Sequence, residues 1–95
     1  SGAFDTIADI IDEVNPGEKQ RKNQEIDPND FYRVYKTIVG SSRKERVKMK
    51  GMDMVRVDLI VPAVIFIQQL IEQTGITKII QTDYALREGV LFEMM

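Results

Sequence analysis

Ile76-Thr77-Lys78-Ile79-Ile80-Gln81-Thr82 is the stretch on which the fold class turns. Its β-branched residues and alternating pattern specify a short strand, because such side chains pack well on a pleated surface. No second segment reads as a strand. A lone strand cannot satisfy its own backbone groups, so its partner is expected from preceding chain or from another copy. If these residues were helical instead, the chain would read as a helical interaction domain.

Gly75 stands directly before this strand and closes a long apolar run. Residues 54–74 are too long for a strand, and Gln68, Gln69, Glu72 and Gln73 return at helical intervals near their end. They read as one buried helix. Pro62 removes a helical hydrogen bond and clashes with the preceding turn, so it belongs near the first turn or at a kink. After the strand, Asp83 is placed to cap a last helix over residues 86–95. Gly89 inside it points to close backbone contact, because Gly costs a helix about 1 kcal/mol relative to Ala.

Toward the amino end, Asp27-Pro28 is a strong helix start, with Asp as cap and Pro where its missing N–H is harmless. Phe31, Val34, Tyr35, Ile38 and Val39 supply the apolar stripe, and Gly40 stops it. Ser42 caps a short basic helix that turns at Lys50-Gly51. An earlier helix carries Phe4, Ile7, Ala8, Ile11 and Val14 on one face and acids on the other, ending at Asn15-Pro16-Gly17. Residues 15–27 form a polar loop. The expected architecture is an α/β fragment, mostly helical with one short strand.

Composition narrows the chemistry. The 95 residues suit one small domain, 43% hydrophobic and 29% charged. With no Cys and no His, thiolate zinc sites, disulfides and imidazole catalysis are excluded. A net charge of −2 gives no global attraction to nucleic acid or anionic lipid. The longest apolar run falls short of the ~20 residues of a membrane span. An opening Ser1-Gly2 with no initiator Met, followed at once by an amphipathic pattern, reads as a chain cut from a larger protein.

Four groups of residues have a chemistry worth weighing. Ser1 and Gly2 could mark an anion site at a helix start, or simply cap it. Arg43, Lys44, Arg46, Lys48 and Lys50 form a basic run that suits a polyanion, or a plain solvated face. Arg56 could grip a phosphate bidentately with Asp58 orienting it, or the two could form an ordinary capping pair. Arg87, Glu88 and Gly89 read as a structural contact beside a cleft, or as a helix entry with a local ion pair. No Gly-rich phosphate loop is visible.

Read in order, Gly51-Met52-Asp53, Arg56-Val57-Asp58-Leu59-Ile60-Val61-Pro62-Ala63 and Thr82-Asp83-Tyr84-Ala85-Leu86-Arg87-Glu88-Gly89-Val90-Leu91 resemble the exopolyphosphatase and guanosine pentaphosphate phosphatase (Ppx/GppA) family. Ser1-Gly2 is similar to the tail of that family's Gly-Thr-Ser-Gly turn, and Phe4-Asp5-Thr6-Ile7-Ala8 to the helix after it. The resemblance implies the end of an actin-like, ribonuclease H-like core, from its second lobe. It also implies a cytoplasmic enzyme that uses Mg²⁺ and carboxylate-activated water to remove terminal phosphates from polyphosphate or guanosine pentaphosphate. The catalytic Glu and metal-binding acids would then lie in preceding chain, leaving this fragment inactive and without metal ligands. Ser1 and Gly2 would line the cleft floor, Arg56 would contact phosphate, and Asp58, Arg87, Glu88 and Gly89 would be structural. Ala63 departs from the Gly of many relatives, which narrows the approach of a ligand. A rival of another class is a non-catalytic polyanion-binding or regulatory module using Arg43, Lys44, Arg46 and Lys48. Neither reading calls for a membrane or a specific nucleic acid, and both leave a homodimer open.

Overall fold

In the computed structural model, residues 3–19, 24–84 and 87–94 are described; Ser1 and Gly2 lie outside them. The element order is α1 (Ala3–Asp12), β1 (Glu25–Ile26), α2 (Pro28–Val39), α3 (Arg43–Arg46), α4 (Ile60–Thr74), β2 (Ile76–Tyr84) and β3 (Arg87–Met94). The fold is mostly helical, with one antiparallel sheet in the order β1-β2-β3.

Local chemistry sets most of the boundaries. Asp27 caps α2 by accepting from the Asn29 N–H at 2.7 Å, and Pro28 opens the helix. Gly75 ends α4 in the left-handed region at φ 68°. Helix α4 begins at Ile60, not at residue 54, so Pro62 falls in the first turn, where no helical donor is needed. Residues 54–59 form turns instead, started by the Asp53 carboxylate accepting from the Val55 N–H at 3.0 Å. Nor is α4 buried all round: Phe66 is 61% exposed, while Ile60 and Val64 are fully covered.

The carboxy-terminal third differs most from the sequence reading. Strand β2 is not alone: β3 pairs along it, Ile80 opposite Leu91 and Tyr84 opposite Arg87, and β1 pairs on its other edge at Ile79 and Ile80. Residues 87–94 are therefore a strand, not a helix, and Asp83 lies in β2 rather than at a helix start. Two short-range signals favour this outcome. Gly89 weakens a helix, and Val90-Leu91-Phe92 suits a strand. The open edge of β2 decides it, because pairing satisfies a row of backbone groups at once. With β1 and β3 on its two edges, β2 finds within this chain the partners expected from preceding chain or from another copy. The polar segment 15–27 is likewise not loop throughout, since Glu25 and Ile26 form β1 and Ile26 is buried. Helix α1 stops earlier than Asn15-Pro16-Gly17, at Asp12, with Glu13 left-handed at φ 55°.

A register irregularity lies between Ile76 and Lys78: Ile76 pairs with Met94 and Lys78 with Glu93. The extra residue flips the alternation, so Ile76 and Ile79, three apart, both face the core while Lys78 is exposed. Helix α2 is the hub, touching α1, α4 and β2. Phe31, Val34 and Ile38 of α2 meet Ile7 of α1, Ile60 and Val64 of α4, and Ile79 of β2 in one core. No helix among the described residues is long and apolar enough to cross a membrane.

Candidate phosphate-facing segment

The segment between α2 and α4 carries most of the candidate residues. Ser42 and Glu45 form a reciprocal cap at the start of α3. The Ser42 hydroxyl accepts from the Glu45 N–H at 3.1 Å, and the Glu45 carboxylate accepts from the Ser42 N–H at 2.7 Å. The bond from the Ser42 N–H first, and the Ser42 side chain beside the carboxylate second, hold the Glu45 carboxyl below its ordinary value of 4.5.

Two cations of α3 are engaged by neighbouring chain, Arg46 part-buried and Arg43 exposed. Arg46 donates from Nη1 to the Ser41 carbonyl at 2.9 Å and from Nε to the Val57 carbonyl at 3.2 Å. Arg43 donates from Nε to the Asp58 carboxylate at 2.8 Å. Of the basic run, Lys44, Lys48 and Lys50 are exposed lysines, and Arg43 is exposed but paired with Asp58.

Arg56 sits in the turn before α4, half-buried, between exposed Val55 and fully buried Val57. Its N–H donates to the Asp53 carbonyl at 2.8 Å, and its own carbonyl accepts from the Ile60 N–H at 2.9 Å. Asp58 is engaged by Arg43, and α4 has Leu59 at its cap position with no side-chain cap bond. Ala63, half-buried, lies in the first turn of α4.

Gly51 ties this segment to the amino-terminal helix. It is buried at φ 95°, and a Cβ there would lie 2.7 Å from the backbone of Asp9 and Ile10. The candidate turn is thus pressed against α1, which begins right after Ser1 and Gly2. Arg87, Glu88 and Gly89 lie on β3, opposite Tyr84, Asp83 and Thr82. They are strand residues, not the entry of a helix.

Two further clefts are acidic. One of about 150 Å³ is lined by Asp5, Thr6, Asp9, Pro16, Gly17, Lys19 and Asp53. The other, about 160 Å³, includes Asp12, Glu25, Asp27 and Asp30. Their charge disfavours a phosphate ligand. Several of these acids are already engaged, Asp12 with Lys19 and Asp30 with Arg33. Among the described residues no group of three or more acids is placed to hold a metal ion.

Sequence reading alone missed two structural roles. Arg46 looked like a surface cation, and only tertiary contacts show it bonded to two carbonyls. Gly51 looked like an ordinary turn glycine, and only the proximity of α1 shows why a side chain is excluded there.

The chain is thus a mostly helical α/β protein whose arginine-bearing turn is braced against the core. The model of the Ppx/GppA phosphatase family matches residues 2–95, and the chain belongs to that family. No curated protein and no solved structure matches it.

Proposed function

We propose that this chain belongs to a cytoplasmic phosphoanhydride hydrolase with an actin-like fold, acting on the terminal phosphate of inorganic polyphosphate or guanosine pentaphosphate. The observation that carries this reading is the family match across residues 2–95. The strand at residues 76–84 supports it against a purely helical interaction domain.

In that reaction a water oxygen forms a bond to the terminal phosphorus as the bridging P–O bond breaks, and negative charge grows on the departing oxygens. Fixed cations and N–H donors stabilise that charge best when they need not reorganise. Arg56 is the residue of this chain assigned to that task. Its planar guanidinium can meet two phosphate oxygens at once, and the turn that carries it is anchored by Val57 in the core. Ser1 and Gly2 would face the same phosphates. Asp58 has a supporting role through Arg43. No step is assigned to Mg²⁺ on this chain.

The second reading, a polyanion-binding module without turnover, rests on exposed Lys44, Lys48 and Lys50. It has fewer cations to work with than the basic run suggests, because Arg43 and Arg46 are engaged elsewhere. The two readings separate in one experiment. The 95-residue chain, incubated with polyphosphate and Mg²⁺, should release no phosphate, whereas the natural protein that carries it should. Turnover by the 95 residues alone would overturn the assignment of chemistry to other parts of the protein. Tight polyphosphate retention that disappears on K44A/K48A/K50A, with no turnover by the natural protein, would establish the binding module instead.

A further inference from the structure

We propose that Arg46 is a positioning residue for Arg56, so that the basic helix α3 serves the phosphate site as a brace rather than as a polyanion-binding face. This rests on the reading of Arg56 as the phosphate-contacting residue. The geometry is specific. Arg46 spans from the Ser41 carbonyl, at the end of α2, to the carbonyl of Val57, the residue next to Arg56. One guanidinium thereby links the α2 terminus to the turn on which Arg56 is mounted.

A second link runs in parallel, from Arg43 to the side chain of Asp58. Val57 between these points is buried in the core. The turn is therefore held from one side by packing and from the other by α3. The two links differ in strength. Arg43 and Asp58 are both well exposed, so their ion pair is screened and adds little. The Arg46 bonds are part-buried and charge-assisted. Lys cannot replace this arrangement, because a single ammonium lacks the forked donors that reach both carbonyls. A small displacement of a group that must meet a developing charge is costly, up to about a hundredfold in rate for an ångström. Losing the link from Ser41 to Val57 therefore weakens catalysis without removing any group that touches substrate.

The test is a double-mutant cycle in the natural phosphate-releasing protein, measuring kcat and KM for polyphosphate hydrolysis with R46Q, R46K, R56A and R46Q/R56A. R46Q is expected to lower kcat/KM roughly tenfold at temperatures well below unfolding. R46K is expected to recover only part of the loss. In the R56A background R46Q should add less than about twofold, because its effect passes through Arg56. Amide exchange at Arg56 and Ile60, whose N–H groups bond within this turn, should quicken in R46Q while that at Phe31 does not. An equal R46Q effect in both backgrounds would overturn the proposal. So would a fall in melting temperature with kcat/KM unchanged. Should R56A itself leave kcat/KM unaltered, the Arg56 reading fails, and Arg46 loses its role with it.

Discussion

Substituting Gly51 with Ala perturbs the point where the candidate turn meets α1. Two costs act together. Gly51 has φ 95°, a conformation that L side chains rarely adopt, and holding Ala there costs about 1–3 kcal/mol. The new Cβ would also stand 2.7 Å from the Asp9 carbonyl carbon and oxygen and from the Ile10 nitrogen. These are backbone atoms and cannot rotate away. Moving α1 would disturb Phe4, Ile7 and Ala8, all buried, and overpacking of this kind costs about 1–3 kcal/mol. Ala restricts the unfolded chain, which returns about 0.4–1 kcal/mol. The net expectation is a loss of about 1–6 kcal/mol, against a total of about 5–14 kcal/mol for a chain of this size. Gly75 supplies the internal control: its φ of 68° is also left-handed, but nothing lies within 4 Å of an added Cβ. Only the conformational cost applies there, about 1–2 kcal/mol, offset by the same restriction of the unfolded chain. Urea unfolding followed by far-ultraviolet circular dichroism measures both variants, with the midpoint compared at a common slope. Equal losses in G51A and G75A would refute the close approach of residue 51 to α1.

Phe31→Ala should cost about 3–5 kcal/mol, because the side chain is fully buried where α2 meets the other elements; thermal unfolding checks it, and a shift below a few degrees would contradict the core assignment. Ser42→Ala removes the reciprocal cap of α3 and should cost about 1 kcal/mol, read by the same assay. Glu45 adds a pH dependence: its folded carboxyl titrates below its unfolded value, so the cap is intact above the unfolded value and is lost as pH falls through the folded one. A nuclear magnetic resonance titration should show the Ser42 amide following the Glu45 carboxyl, and a Ser42 amide indifferent to that titration would contradict the cap.

The parts of the fold legible in the sequence are those fixed by neighbours along the chain. Asp27 with Pro28 and Ser42 set helix starts through cap bonds within three residues, and Gly75 ends α4 by its left-handed backbone. Strand β2 was legible for the same reason, as a run of β-branched residues. Residues 87–94 were not, because their apolar spacing fits either a helix or a strand, and the deciding partner is the edge of β2. Two-residue β1 leaves no periodic trace at all. The site divides along the same line. The sequence nominates Arg56 by residue type and position. The bond from Arg46 to the Val57 carbonyl and the fit of Gly51 against α1 depend on distant chain meeting, and composition carries no record of that.

The role proposed for the chain is in the removal of terminal phosphates. Phosphorus nuclear magnetic resonance on the natural protein, supplied with Mg²⁺ and long-chain polyphosphate, tests it most directly. Free orthophosphate should appear from the first turnovers, with chains shortened one unit at a time and the rate reduced by Arg56→Ala. Cleavage within the chain without orthophosphate, or no hydrolysis of either polyphosphate or guanosine pentaphosphate, would contradict it.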